Sequence, residues 1–363
     1  MKKSVLLILF IMLFSVVSCG SSATEKDSIN DADVTEDSDV FTDTKSFVSV
    51  WKIEEDDLYK SIILPLVRTG SYDFVVDWGD GSKNSVSDWD DITKKRHGYK
   101  EAGLYTIIIT GKIVGWSFGS EPYSAENIVE VSRWGSLGFG DTSAQFAGCL
   151  YLTITATDAP SLLGTLSLGN AFSGCRFLTE IPSSSVWDTS EIMWMAGMFN
   201  NCSYLTHVGF IEQWNVSKVV NMDSMFSDAR MWNQDISAWD VSNVTIMSNM
   251  FRYAMMFDYP LTEWDVSSVT DMYEMFLQAT KFDQDISSWD ITQVGSCKRM
   301  FDGVALSTKN YDALLVSWSQ QNVTKDIEFS GGNSQYSSGE AADARQKLID
   351  EHGWVITDGG LTE

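Results

Sequence analysis

The chain has 363 residues, 44% of them apolar and 21% charged, with 50 acidic against 25 basic side chains and a net charge of −25. Such a length allows two or three domains and a sizeable core. The acidic balance and the absence of any basic cluster argue against nucleic acid, whose phosphates are met by grouped Lys and Arg.

The N-terminus predicts export. Lys2 and Lys3 precede an apolar run from Val5 to Phe14, and small residues lead up to Cys19. This is the layout of a secretory signal, and the run is too short to span a bilayer comfortably. The stretch Val16-Val17-Ser18-Cys19 resembles a bacterial lipobox. The resemblance implies a lipid on Cys19, so that the membrane is a partner through an N-terminal anchor. Residues 1–19 are thus expected to be a lipoprotein signal peptide. The expected location is the bacterial cell envelope, lipid-anchored and surface-exposed, on the outer membrane in a Gram-negative cell. Residues 20–46 are rich in Ser, Thr, Asp and Glu and are expected to be a disordered acidic tether.

From Phe47 the pattern alternates. Phe47–Trp51 and Tyr72–Trp78 place apolar residues at every second position, and Leu104–Thr110 is a β-branched apolar run, all reading as strands. Gly79-Asp80-Gly81-Ser82 is a tight turn. The series Val76-Asp77-Trp78-Gly79-Asp80-Gly81-Ser82, then His97-Gly98-Tyr99 and Gly103-Leu104-Tyr105, resembles a PKD domain. The resemblance implies a small all-β immunoglobulin-like sandwich over residues 47–115, used as a spacer or interaction module. Asp77, Asp80 and His97 read as turn chemistry, with Asp side chains bonding nearby backbone N–H groups.

Residues 116–306 repeat. A Phe recurs at 146, 172, 199, 226, 251, 276 and 301, usually 12 residues after a Trp, as in Trp239 to Phe251. Relative to that Phe, position +3 holds only Cys, Ala or Val, and position −4 is mostly Met. Offsets −4, −1, 0 and +3 share a helix face, which predicts a short helix over Met247–Ala254. The column of Ile236, Leu261 and Ile286 predicts extended chain. A period of 20–50 residues is the mark of stacked repeats. Ala171-Phe172-Ser173-Gly174-Cys175 through Ile181-Pro182, and the Trp-Asp-Val-Ser-x-Val-x-x-Met-x-x-Met-Phe units, resemble BspA-type leucine-rich repeats and the 25-residue bacterial surface-protein repeats. The resemblance implies an α+β solenoid of leucine-rich-repeat type, with a short helix and short strands per turn, and adhesive surface proteins without an active site. Residues 307–363 are expected to cap it.

Three columns invite functional readings. Asp188, Asn215, Asp240, Asp265 and Asp290 precede Ser or Thr by two residues and read as turn caps rather than a calcium strip. The Trp column reads as packing rather than a sugar platform. Cys149, Cys175 and Cys202 read as buried thiols. The three histidines, His97, His207 and His352, lie far apart, and no nucleophile elbow, phosphate loop or zinc spacing occurs. No catalytic residue, metal or cofactor is therefore expected. Function is expected where the repeats differ, at Arg230, Met231, Tyr253, Met256, Asp258, Tyr259, Gln278 and Lys281. The expected role is non-catalytic, adhesin-like binding of a host or cell-surface protein or glycan. A carbohydrate-active enzyme or glycan-binding accessory protein, and a passive spacer, are the alternatives.

Overall fold

A computed structural model describes residues 45–183 and 186–362. Cys19, its signal segment and nearly all of the acidic tether lie outside the described residues.

The first strands are β1 (Phe47–Ile53), β2 (Ser61–Ile63), β3 (Leu66–Asp77) and β4 (Lys83–Val86). A short helix α1 (Ile92–Lys95) leads to β5 (Arg96–Gly98) and β6 (Gly103–Trp116). Next come β7 (Ile128–Arg133), β8 (Leu137–Gly138) and β9 (Thr153–Ile154). Alternation does what the pattern asks: β1 buries Phe47, Ser49, Trp51 and Ile53. One seven-stranded mixed sheet results, in the order β4-β3-β6-β1-β7-β9 with β8 beside β6. The pairs β7–β9 and β6–β8 are parallel; the others are antiparallel. This corrects the expected immunoglobulin-like sandwich. The strands that should have divided between two facing sheets share one, and the only other pairing there among the described residues is β2 with β5.

The repeats are built from stacked turns, which corrects the leucine-rich-repeat solenoid with its helix in every turn. Among the described residues the only α-helices are α1, α2 (Thr308–Ser319) and α3 (Glu340–His352), and none lies in the repeats. The reason is in the backbone. Residues at −2 from the Phe (Asn170, Ser224, Asn249, Glu274) and at +2 (Asn201, Asp228, Tyr253, Gln278) have φ between 52° and 60°. A left-handed residue every fourth position cannot propagate a right-handed helix.

Those turns satisfy every local backbone donor. Around Phe226, the N–H groups of Met222, Ser224, Phe226 and Asp228 donate forward to the carbonyls of Ile246, Ser248, Met250 and Arg252, at 2.7–3.0 Å. Met225, Ser227 and Ala229 donate back three residues, and the Asp223 N–H goes to Asn221 Oδ1. Nothing is left unpaired in this segment, which is what burial demands of a backbone. Single parallel bridges join Ser167, Trp194, Asn221, Ile246, Asp271 and Ser296 in succession.

Inside, the seven Phe rings stack in one column, with centroid steps of 5.4–5.9 Å and planes within 17° of parallel. The small column packs beside them: Cys149, Cys175, Cys202, Ala229, Ala254, Ala279 and Val304 are all fully buried. The ladder is polar, so each end needs a different partner. Ser117 and Phe118, just after β6, supply donors to the Ser143 and Gln145 carbonyls. At the far end Ser330 supplies a carbonyl to the Phe301 N–H. Ser330 ends a further strand, Glu328–Ser330, which pairs in parallel with Val355–Thr357 and sets Phe329 against Trp318 of α2.

Candidate binding surface

Positions +4 and +5 after each of the first six repeating Phe residues lie at the tip of a tight turn; after Phe301 the pattern stops, and Leu306 at +5 is buried. The buried +3 and +6 residues are joined by a hydrogen bond from the +6 N–H to the +3 carbonyl, as in Leu178 to Cys175, Leu205 to Cys202 and Trp232 to Ala229. The two residues between them are the tip of a tight turn whose both ends are anchored in the core. Their side chains must face solvent, and they have little freedom to move.

The +5 position is apolar in five successive units. Tyr151, Phe177, Tyr204, Met231 and Met256 are 41–52% exposed, and the column ends at Lys281. Tyr151 stacks on Phe177 and Phe177 on Tyr204, each at 5.6 Å, with planes 4° and 12° from parallel. Tyr151, Phe177 and Tyr204 form an aromatic ridge, continued in register by Met231 and Met256, on an acidic protein. Isolated apolar residues on a surface need no explanation, but a contiguous apolar line does. Beside it, Arg176, Asn201, Ser203, Tyr204, Arg230 and Met231 line a hollow of about 280 Å³.

Of the eight residues expected to bind a partner, four lie on this surface: Arg230, Met231, Met256 and Lys281. The other four serve the scaffold. Tyr253 and Gln278 are left-handed ladder residues whose N–H groups donate to Leu277 and Asp302. Arg252 covers the Tyr253 ring at 4.6 Å, and the Gln278 amide lies where a Cβ on Gly303 would go. Asp258 Oδ1 takes the Asp283 N–H and the Gln284 amide. Tyr259 is half-buried against the core. Tyr151, Phe177, Tyr204 and Arg176 escaped the sequence reading. Their units are 26 or 27 residues long rather than 25, which hides the column, yet counting from the Phe would have aligned them.

The repeating Trp residues are unavailable as a platform. Trp187, Trp214, Trp239, Trp264 and Trp289 are buried, and the indole N–H groups of Trp239, Trp264 and Trp289 donate to the carbonyls of Ile211, Ile236 and Leu261. The Asp column caps turns. Asp188, Asn215, Asp240, Asp265 and Asp290 each accept the N–H two residues on. Ser190 and Ser267 hold Asp188 and Asp265 below the usual carboxylate range, chiefly through their hydroxyls. Cys149, Cys175, Cys202 and Cys297 are free and buried, and burial pushes the Cys175, Cys202 and Cys297 thiols up. Inert thiols of this kind are packing residues.

One constellation looks catalytic until its geometry is read. His97 Nε2 lies 2.8 Å from Asp80 Oδ2 and 3.3 Å from Ser82 Oγ, and Ser82 donates to Asp80 at 2.6 Å. A Ser-His-Asp relay needs the hydroxyl and the carboxylate on opposite ring nitrogens; here both meet Nε2. Trp78 stacks on the ring at 4.9 Å, so the group staples the turn to β5. Asp80 is held at about 2 against an ordinary 3.8. Desolvation, the largest single influence, pushes it up but is outweighed by Ser82 and His97 together. A carboxyl lowered on folding contributes stability that is present above its ordinary value and lost as pH falls through the folded one. Asp80→Asn is therefore expected to destabilise by a constant amount above pH 4, the gap closing toward pH 2. Urea titrations at stepped pH test this; a gap that persists unchanged at pH 2 would reject it.

Residues 166–262 and, overlapping them, 237–338 match a family described as "Mycoplasma protein of unknown function, DUF285". The match covers most of the stacked-turn region. It is not to a leucine-rich-repeat or PKD family, which corrects both resemblances drawn from the sequence. No curated protein and no solved structure matches the chain. Among the described residues no helix is long and apolar enough to cross a membrane.

Proposed function

We propose that this chain is an exported, lipid-anchored binding protein of the bacterial surface, which holds a protein partner against the ridge of Tyr151, Phe177, Tyr204, Met231 and Met256. The observation that carries the reading is the ridge itself. Aromatic and Met side chains are the ones enriched at protein interfaces. Fixed in place by the turn anchors, they lose little entropy when covered. A passive spacer has no use for such a line.

The ring geometry favours a protein over a glycan. A pyranose stacks on a free aromatic face, but at 5.6 Å and nearly parallel, Tyr151 and Tyr204 flank Phe177 on both sides, and Phe177 takes the inner face of each. Catalysis draws no support from the carboxylates either. A glycosidase needs an acid with a raised pKa, and the shifted Asp residues Asp80, Asp91, Asp188, Asp265 and Asp302 all move down.

The test compares the wild-type chain with a Phe177→Ser, Tyr204→Ser, Met231→Ser variant on cell-surface protein fractions and on a glycan array. Binding to protein is expected to fall at least tenfold in the variant, with the melting curve nearly unchanged because the tips are exposed. Undiminished binding by the variant would reject the ridge as the surface. Binding confined to glycans would reject the protein partner.

A further inference from the structure

The aromatic part of the ridge, Tyr151 to Tyr204, has unlike ends. Toward the C-terminal side, Arg176 and Arg230 flank Tyr204 over the hollow of about 280 Å³, which no carboxylate lines. Arg230 is paired with Asp228 at 3.1 Å. Arg176 touches only the Phe177 ring, at 6.0 Å, and has no ion-pair partner among the described residues. An unpaired guanidinium on a chain of net charge −25 is a local exception to the surrounding field. Toward the N-terminal side, Tyr151 and the fully projecting Tyr123 border a second hollow of about 370 Å³, where Asp56, Asp57 and Glu126 face solvent or nearly so. Its one cation, Lys52, is held by Glu54 at 2.6 Å.

We infer that the ridge is an oriented track for one extended polypeptide segment of the partner. A carboxylate of that segment sits between Arg176 and Arg230, apolar side chains lie over Phe177 and Tyr204, and a basic side chain enters the acidic hollow beside Tyr151. This rests on the reading of the ridge as a protein-binding surface and adds the partner's chemistry and spacing. Tyr151 and Tyr204 are two ring steps of 5.6 Å apart, about 11 Å in all. Extended chain advances ~3.3 Å per residue, so the two charged residues stand about three or four positions apart. The guanidinium fork supplies paired donors suited to a carboxylate. The net charge repels polyanions at long range, so the carboxylate must belong to a segment that is neutral or basic elsewhere, as the acidic hollow also requires. Charge at both ends sets register and direction, which the apolar ridge alone cannot do.

A random 12-residue peptide library displayed on phage, selected on the immobilised full chain, tests the inference. Enriched peptides are expected to carry an acidic residue three or four positions from Lys or Arg with apolar residues between. Changing that acidic residue to its amide, or making Arg176→Glu with Arg230→Glu in the protein, is expected to weaken binding at least tenfold. The charge-reversed protein is expected to prefer peptides basic at that position. Peptides that need Phe177 and Tyr204 but ignore the Arg176 and Arg230 reversal would overturn the inference and leave the ridge reading intact. No enrichment, or peptides indifferent to Phe177→Ser with Tyr204→Ser, would overturn both. An acidic oligosaccharide such as a heparin fragment, held through Arg176 and Arg230 in place of peptide, would overturn the assignment to a polypeptide.

Discussion

Truncating Phe251 to Ala is expected to destabilise the protein by about 3–5 kcal/mol, the usual range for removing a buried aromatic ring from a close-packed core. Phe251 is fully buried. Its ring stacks on Phe226 at 5.9 Å and on Phe276 at 5.4 Å, and Phe257 lies 4.2 Å away. The loss exceeds simple transfer, because the backbone around the ring is fixed by inter-unit hydrogen bonds. The Phe251 N–H donates to Met275 and the Tyr253 N–H to Leu277, so the neighbouring turns cannot easily collapse into the void. The urea midpoint should fall accordingly. Met256→Ser, five residues on at an exposed tip, serves as the control and is expected to stay within about 0.5 kcal/mol of wild type. Equal losses in the two variants would contradict the separation of a Phe core from a surface ridge.

The second large effect is expected at the far end. Asp358 is nearly buried and bonds three groups: Arg345 Nε at 2.7 Å, the Tyr311 hydroxyl at 2.9 Å and the Gly360 N–H at 3.1 Å. Tyr311 comes from α2 and Arg345 from α3, so one carboxylate ties both helices to the segment after Val355–Thr357. Burial, then the neighbouring Asp358 charge, raises the Tyr311 phenol well above its ordinary range, keeping it a donor. Asp358→Ala leaves the partly buried Arg345 without its counter-charge and the Tyr311 hydroxyl without its acceptor, a break that costs about 3 kcal/mol, the low end of the range for a fully buried pair. Replacing Arg345 by Met together with Asp358 by Leu is expected to recover most of that, since a buried ion pair and an apolar pair of similar size are often equivalent. Amide exchange should show the loss concentrated in α2 and α3. A double variant no more stable than Asp358→Ala would mean the pair does more than neutralise itself.

The stacked turns show where sequence reasoning went astray and what could have corrected it. Offsets −4, −1, 0 and +3 fit a helix face, and these residues are indeed buried. The same sequence carries Asn170, Gly197, Ser224 and Asn249 at −2, and Gly148, Gly174, Asn201, Asp228 and Gly303 at +2. Glycine, Asn and Asp tolerate positive φ far better than other residues. Two such columns four residues apart contradict a helix, and the signal was diluted by Tyr253, Glu274, Gln278 and Arg299, which occupy left-handed positions at some cost. Glu274 shows one way that cost is offset. Its nearly buried carboxylate is gripped by Arg252 at 3.0 Å and by Arg299, with the Tyr273 hydroxyl at 2.7 Å.

Repetition, the identity of the buried columns and the roles of Asp and Trp were all legible by themselves, because each follows from spacing, side-chain size and local hydrogen-bonding capacity. The Asp residues cap turns two residues away, and the Trp side chains are core, whatever path the chain takes between them. Three things were decided only in three dimensions. All the strands near the N-terminus except the β2–β5 pair join one mixed sheet, since strand partners are chosen by contacts remote in sequence. The Met-rich segments become turns, since the forward N–H groups find carbonyls on the next unit rather than within a helix. The binding surface emerges from Tyr151, Phe177 and Tyr204, unremarkable singly, because stacking brings residues 26 or 27 apart to within 5.6 Å. Arg176 and the acidic hollow gain meaning in the same way, as the two ends of a line that exists only once the turns are stacked.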